Sequence, residues 1–491
     1  MRCTFLGRHR RCRPSMTARL DERFARSRTL GRVSSGAVAI RVTPIHVLVA
    51  TLVAYTILAL AVALLTPPGE ANDEPSHVQN IESIAAGSLY GITPGSGAES
   101  HQAPLYYLAL AAWQRSVGVE PFAFVVHGSG GPIGRRPLWL HNGPGESVTQ
   151  RWIDILRLPG VAMGVATILL TWLAMRFLSI SPWTPVIAAA IVAFVPRFVF
   201  LTGVINNDNL ATLVGAAATC MATWLVGRRP VEWRVRLAWA VAAGVAIGAA
   251  VLSKVTAVVL APGLVLALLL VVRRPRERLG LLAVIGAVAL AVSAWWLIRN
   301  QMLYGDPVGN EASIVHLRAL YPALFPQDSP ILRALVTIPR GIWRSAWYTS
   351  GWNQFDWPAL AYVPFWTLLG IGAAAGIAGL RRTSSAPPAL HTSSTAGNSV
   401  TGTADPTSTR TGILVLVAFA LGGAAAIWIV GLQTTQEQAR IGFVGLPAIA
   451  GLTAIGYERL RWPLPARFTL PILGLAGTLV AIRADVLEVF H

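Results

Sequence analysis

The sequence predicts an all-α polytopic membrane protein, and three observations carry that prediction. Apolar runs near 20 residues long recur along the 491-residue chain, each long enough to cross a hydrocarbon core about 30 Å thick. Only 13% of residues are charged, against roughly 25% in soluble domains, and the mean hydropathy is +0.56. The formal net charge of +18 collects in short stretches between the apolar runs. That is the positive-inside pattern rather than the basic face of a nucleic-acid-binding domain, so no nucleic-acid partner is expected.

Hydropathy marks about 11 crossings, near 45–65, 154–177, 183–203, 207–227, 237–253, 255–272, 279–297, 359–380, 411–432, 441–457 and 469–484. Before the first lies a tail, 1–43, with eleven arginines and no apolar core, which reads as a disordered cytoplasmic segment rather than a cleavable signal. Arginine groups at 228–236, 273–278, 381–382 and 459–461 then all fall on the side of the N-terminus, which puts both in the cytoplasm of a multi-pass protein of the cell membrane. That count requires the apolar stretch 103–118 to lie on the outer surface as a juxtamembrane helix instead of crossing. The outer side then holds a long first loop, about 66–153, and a second, about 298–358. A stretch at 381–410, rich in Ser, Thr, Ala, Pro and Gly, reads as a flexible cytoplasmic linker. It separates a transmembrane module, 44–380, from C-terminal helices at 411–491. Cys3, Cys12 and Cys220 suggest neither a disulfide framework nor a zinc site, and no Walker loop, GxGxxG or HExxH is present.

Polar residues that hydropathy does not explain gather on the arginine-poor side. Asp73 and Glu74 precede Pro75 at the start of an amphipathic stretch that ends near Gly87. This fits a capped interfacial helix, and equally a carboxylate held at the membrane surface as a general base. His101 precedes the second interfacial helix. Asn207 and Asp208 lie in a tight outer turn, where Asn and Asp are common, yet a carboxylate at a membrane boundary is also a functional candidate. Lys254 is the only lysine beside 39 arginines, and it sits in an outer turn against the positive-inside trend. It could snorkel to headgroups or serve as a compact cation for a lipid phosphate. Arg299 and Arg440 are outer cations too. Residues 341–358 hold four tryptophans, read as an aromatic membrane belt.

Six short motifs occur in order: AspGluProSerHis at 73–77, HisGlnAlaProLeuTyrTyr at 101–107, AsnAsnAspAsnLeu at 206–210, LeuSerLysValThr at 252–256, TrpTrpLeuIleArgAsnGlnMetLeuTyrGlyAspPro at 295–307 and AlaArgIleGlyPheValGlyLeuPro at 439–447. With them the chain resembles the GT-C superfamily of membrane glycosyltransferases, which use polyprenyl-phosphate-linked sugars. It is most similar to the protein-mannosyltransferase and aminoarabinose-transferase-like branch. The resemblance implies a GT-C fold whose long first outer loop carries the catalytic acid, Asp73, with Glu74 as helper or alternative. It implies that Lys254 and Arg440 hold the carrier phosphate and that Asp208 fills the second outer loop's acidic position. The chain departs from the family where Ile441 follows Arg440 in place of a common tyrosine, and where Ala103-Pro104 replaces two prolines.

The expected function is transfer of a sugar from a polyprenyl phosphate to an acceptor hydroxyl at the extracytoplasmic face, with inversion. Asp73 and Glu74 are the catalytic candidates; His101, Asn207, Asp208, Lys254, Arg299 and Arg440 are the substrate-binding ones. No cofactor or metal is called for, although Asp73, Glu74 and Asp208 could bind a divalent ion. The expected partners are the lipid-linked donor, a glycan, lipid or protein acceptor, and membrane lipids. The alternative is a lipid-linked sugar transporter without transferase chemistry, which would place polar groups near the bilayer midplane on broken helices.

Overall fold

The computed structural model describes residues 42–93, 96–120, 146–178, 181–350, 355–380 and 406–490. The chain divides at Thr43 and Pro44, and the larger unit is Pro44–His491. All but the last two residues of the tail 1–43, and most of the linker 381–410, lie outside the described residues. The helix that follows the linker starts at Pro406, earlier than hydropathy suggested, because apolar content marks only the part of a helix inside the membrane.

Among the described residues, nine helices are long and apolar enough to cross a membrane, from Pro44–Leu65 to Thr469–Leu487. The chain is a multi-pass membrane protein. Two of the expected straight crossings take another form. The segment expected at 183–203 is a pair of helices, Thr184–Ala193 and Pro196–Thr202, bent by 64°. Pro196 has no N–H to continue the first helix, and it forces the residue before it toward extended backbone; Val195 sits at φ −70°, ψ 113°. The segment expected at 255–272 is shorter: a 3-10 turn, Val255–Leu260, then a helix, Ala261–Val271. Pro262 in the first turn of that helix fits its start there.

Helices extend past their apolar cores. Pro275–Tyr304 runs for 30 residues, about 45 Å at 1.5 Å per residue, so its end carries Arg299 beyond a 30 Å core. By contrast Leu105–Ser116 has 12 residues, about 18 Å, too short to span. It packs with Glu74–Ala85 over a cluster of Val78, Ile81, Tyr106, Tyr107, Ile153 and Trp296. These are the two surface helices of the first loop.

The Ala439–Arg459 helix is the hub of the bundle, with 94% of its apolar window buried, whereas Pro275–Tyr304 and Ala359–Ala378 are 22% buried at the periphery. Glycine lets the hub approach closely. A Cβ on Gly215 would lie 2.3 Å from the Val444 carbonyl oxygen, and one on Gly423 would lie 2.6 Å from that of Gly442. Outward faces carry exposed Ile57, Leu290 and Leu421, as lipid contact requires.

Of the tryptophan-rich stretch, Trp347 faces the interior instead of lipid. Trp347 and Tyr348 are buried, and Tyr348, Trp357, Tyr362, Phe365 and Trp347 stack on one another. A two-residue antiparallel pairing, Thr349–Ser350 with Phe355–Asp356, closes this loop.

Candidate active site

Helix reversals bring one set of ends together. Asp208 begins a helix that runs to Arg228, the next returns from Trp233 to Ser253, and Lys254 follows it. Asp208 and Lys254 therefore meet, with Lys254 Nζ 2.5 Å from Asp208 Oδ1. Arg440 enters from the start of the hub helix. Its Nη1 lies 3.5 Å from Asp208 Oδ2, and its Nη2 donates to Asp73 Oδ2 at 2.6 Å. The result is an alternating chain of charge: Lys254, Asp208, Arg440, Asp73. Charges this buried persist only when paired, and Asp208 and Arg440 are 2% and 6% exposed. Gln438 Oε1 accepts from Arg440 Nε at 2.7 Å and from Arg197 Nη2 at 3.0 Å, so it fixes the angle of the Arg440 fork.

Asp73 holds its place by an unusual backbone. It sits at φ 64°, in the left-handed region, just before the Glu74–Ala85 helix. Asp tolerates that region better than most residues. The conformation splits the acidic pair. Asp73 faces Arg440, whereas Glu74 forms a fully buried ion pair with Arg157 at 2.7 Å and accepts the Ile205 N–H at 3.1 Å. Arg157 Nη1 also donates to the carbonyls of Ala63 and Thr66 at 2.7 and 2.6 Å. Glu74 thus clamps three segments and does not line the cavity, which corrects its expected place beside Asp73 in the chemistry.

The charge chain borders a cavity of ≈ 380 Å³. Asp73, His77, Glu99, His101, Gln102, Asn207, Lys254 and Arg440 line it, and so do the apolar Val258, Val259, Ile314, Leu317, Ile429 and Val430. Such a cavity suits a charged head joined to a hydrocarbon tail. His101 donates from Nδ1 to the Ala98 carbonyl at 3.0 Å and accepts from Gln102 Nε2 at 3.2 Å, the pattern of a neutral ring. Burial pushes its pKa down to about 4. Asn207 Nδ2 donates to Gln102 Oε1 at 3.0 Å, tying the first loop to the turn before Asp208. Arg299 is not in the cavity. Its Nη2 donates to the Tyr90 carbonyl at 2.6 Å, and its guanidinium lies 4.8 Å from the Trp296 ring centre, so it braces the loop instead of meeting an anion.

Sequence reasoning passed over four residues of this arrangement. Arg157 was hidden in a long apolar run, and an arginine there is a signal by itself. Gln438 stands two residues before Arg440 and resembles any loop glutamine. His77 follows the acidic pair, and its Nδ1 lies 2.8 Å from the Tyr107 hydroxyl. Glu99 had no sequence signal beyond preceding the 101–107 motif. Among the described residues, no group of three or more His, Cys, Asp or Glu side chains is placed to hold a metal ion.

Residues 138–316 match the family model of dolichyl-phosphate-mannose-protein mannosyltransferases. Comparison with curated proteins gives no match. Among solved structures, the chain is similar to ArnT from Cupriavidus metallidurans bound to undecaprenyl phosphate, at 15% identity and a TM-score of 0.49 over 89% of this chain and 63% of that one. It is also similar to the S. cerevisiae protein O-mannosyltransferase Pmt1–Pmt2 complex bound to the sugar donor, at 15% identity and a TM-score of 0.38, over 60% and 37% of the two chains. This chain thus spans less than two thirds of the length of the first of these structures. The matched residues take in Asn207, Asp208, Lys254 and Arg299.

Proposed function

We propose that this protein transfers a sugar from a polyprenyl phosphate to an acceptor hydroxyl at the extracytoplasmic face of the cell membrane, with inversion at the anomeric carbon. The observation that carries the reading is that Lys254, Arg440 and Asp73, joined through the buried Asp208, line a cavity that apolar side chains line as well. The carrier's phosphate would take Lys254 Nζ and the Arg440 fork, and its first isoprene units would lie against Val258, Ile314 and Ile429. Arg440, drawn to the phosphate, releases Asp73. The freed carboxylate takes the proton of the acceptor hydroxyl. The hydroxyl oxygen bonds to the anomeric carbon as the bond from that carbon to the phosphate oxygen breaks. The carrier leaves as a phosphomonoester, and its added negative charge is met by the two cations. This reading gives charge neutralisation to protein cations, with no metal required. The acceptor is a glycan, lipid or protein hydroxyl.

The test is transfer from a radiolabelled polyprenyl-phosphate sugar in nanodiscs. Asp73→Asn, which keeps the shape and loses the base, is expected to lower kcat by about 10²–10⁴-fold while leaving carrier binding in place. Full activity in that variant removes Asp73 from its role. Movement of the lipid-linked sugar across the bilayer with no transfer would select the transporter reading instead.

A further inference from the structure

Among the described residues, Glu99 is the acidic residue of the cavity wall without a protein cation beside it in an ion pair. Asp73 is bonded to Arg440, and Asp208 to Lys254, but the recorded side-chain partner of Glu99 is neutral. Gln102 Nε2 donates to its Oε2 at 2.7 Å. The backbone beneath is held as well: the Glu99 carbonyl accepts from Asn80 Nδ2 at 2.8 Å and from the Gln102 N–H at 3.1 Å. Glu99 is 8% exposed and still lines the cavity. It is therefore a rigidly mounted carboxyl with hydrogen-bonding capacity left over, on the wall that bears Asp73.

Resting on the reading above, we propose that Glu99 is the sugar-gripping residue of the donor site, hydrogen-bonding a hydroxyl of the glycosyl unit while Lys254 and Arg440 hold the phosphate. The division of labour follows from charge. The two cations and two aspartates already balance, so an anionic phosphate needs its neighbours neutral. A sugar hydroxyl asks only for a fixed acceptor or donor, which Glu99 supplies. Burial raises the Glu99 pKa, and Asp73 raises it further, against the opposing pull of His77, Lys254 and Arg440. His101, bridged to Glu99 through Gln102, is neutral for the reason given above and adds no charge. That upward direction favours the protonated carboxyl, whose O–H a sugar oxygen can accept and which sets less charge against the phosphate. Asn207, through Gln102, sets where that donor points.

The experiment compares binding of dolichyl phosphate and of its mannosyl and glucosyl esters to the full chain in nanodiscs, for wild type, Glu99→Ala, Glu99→Gln and Lys254→Met. Wild type is expected to bind a glycosylated carrier more tightly than the bare one. Glu99→Ala is expected to weaken glycosylated-carrier binding about tenfold, in line with the loss of one buried hydrogen bond, and to leave the bare carrier within about twofold. Glu99→Gln keeps a neutral donor and an acceptor, and is expected to retain most of the preference. Lys254→Met should weaken both carriers together. Equal losses for both carriers in Glu99→Ala, no loss for either, or no preference in wild type would each overturn the assignment. A loss in Glu99→Gln as large as that in Glu99→Ala would mean that an ionised carboxylate is used, and would overturn the neutral grip. Because binding is read without turnover, an inactive Asp73→Asn with an intact Glu99 effect, or the reverse, separates this inference from the transfer reaction.

Discussion

The left-handed backbone of Asp73 decides what two adjacent acids do. In an ordinary helical start, Asp73 and Glu74 would share one environment; here one faces a cavity and the other a buried arginine. Their order could be read from the sequence, but their roles could not, since a single residue's φ depends on what surrounds it. His101 illustrates the same dependence. Its folded pKa of about 4 lies below the ordinary 6.5 because burial disfavours the charged ring. The unfolded chain therefore binds a proton across that interval that the folded chain refuses. The stability this residue contributes is whole above about pH 6.5 and is lost as the pH falls toward 4. Melting temperatures of wild type and His101→Gln, measured against pH, are expected to run parallel above pH 6.5. Below it, wild type is expected to fall relative to the variant. Parallel curves throughout would show that His101 titrates normally.

At the scale of elements, the site depends on joints that no single helix supplies. The Glu74–Arg157 pair joins the first surface helix to the long Glu146–Arg176 helix, and through Ile205 it also holds the turn before Asp208. Removing one partner leaves a buried charge alone, at a cost of roughly 3–5 kcal/mol. Glu74→Gln and Arg157→Met are each expected to lower the melting temperature and the yield of folded protein, and the double variant to lose less than the two losses added. Asp73→Asn should melt close to wild type. If Glu74→Gln melts like wild type but loses turnover, Glu74 belongs to the chemistry after all. Hydropathy located most of these elements. It overran at Pro196 and in the 255–272 segment because an apolar count does not register a missing N–H.

At the scale of the molecule, two opposite ends emerge. Lys254, Arg440, Asp73 and Asp208 meet at one. At the other lie the arginine-bearing turns, where Arg236 pairs with Glu277 at 2.8 Å and Arg229 donates to Thr411 at 3.2 Å. Sidedness follows if the arginine end is cytoplasmic. In a background with Cys3, Cys12 and Cys220 replaced, a cysteine at Ser96 in intact cells is expected to react with a membrane-impermeant maleimide. Cysteines at Arg274 or Arg461 are expected to react only after the membrane is opened. The reverse pattern would turn the protein over and place its cavity in the cytoplasm.

By itself the sequence determined that the chain crosses a membrane many times, which end of each span carries arginine, and that a few charges stand on the other side against the trend. Those properties are local: apolar length and charge position can be counted along the chain, and the bilayer acts on them segment by segment. The six ordered motifs added the likeness to a superfamily. Only the tertiary structure decided which of the marked residues meet. It gathered Asp73, Asp208, Lys254 and Arg440, sent Glu74 and Arg299 elsewhere, and added Glu99, Gln102 and Gln438. Those placements depend on distances between residues as far apart as Asp73 and Arg440, set by glycine contacts along the hub helix and by a proline bend, and no count along the chain contains them.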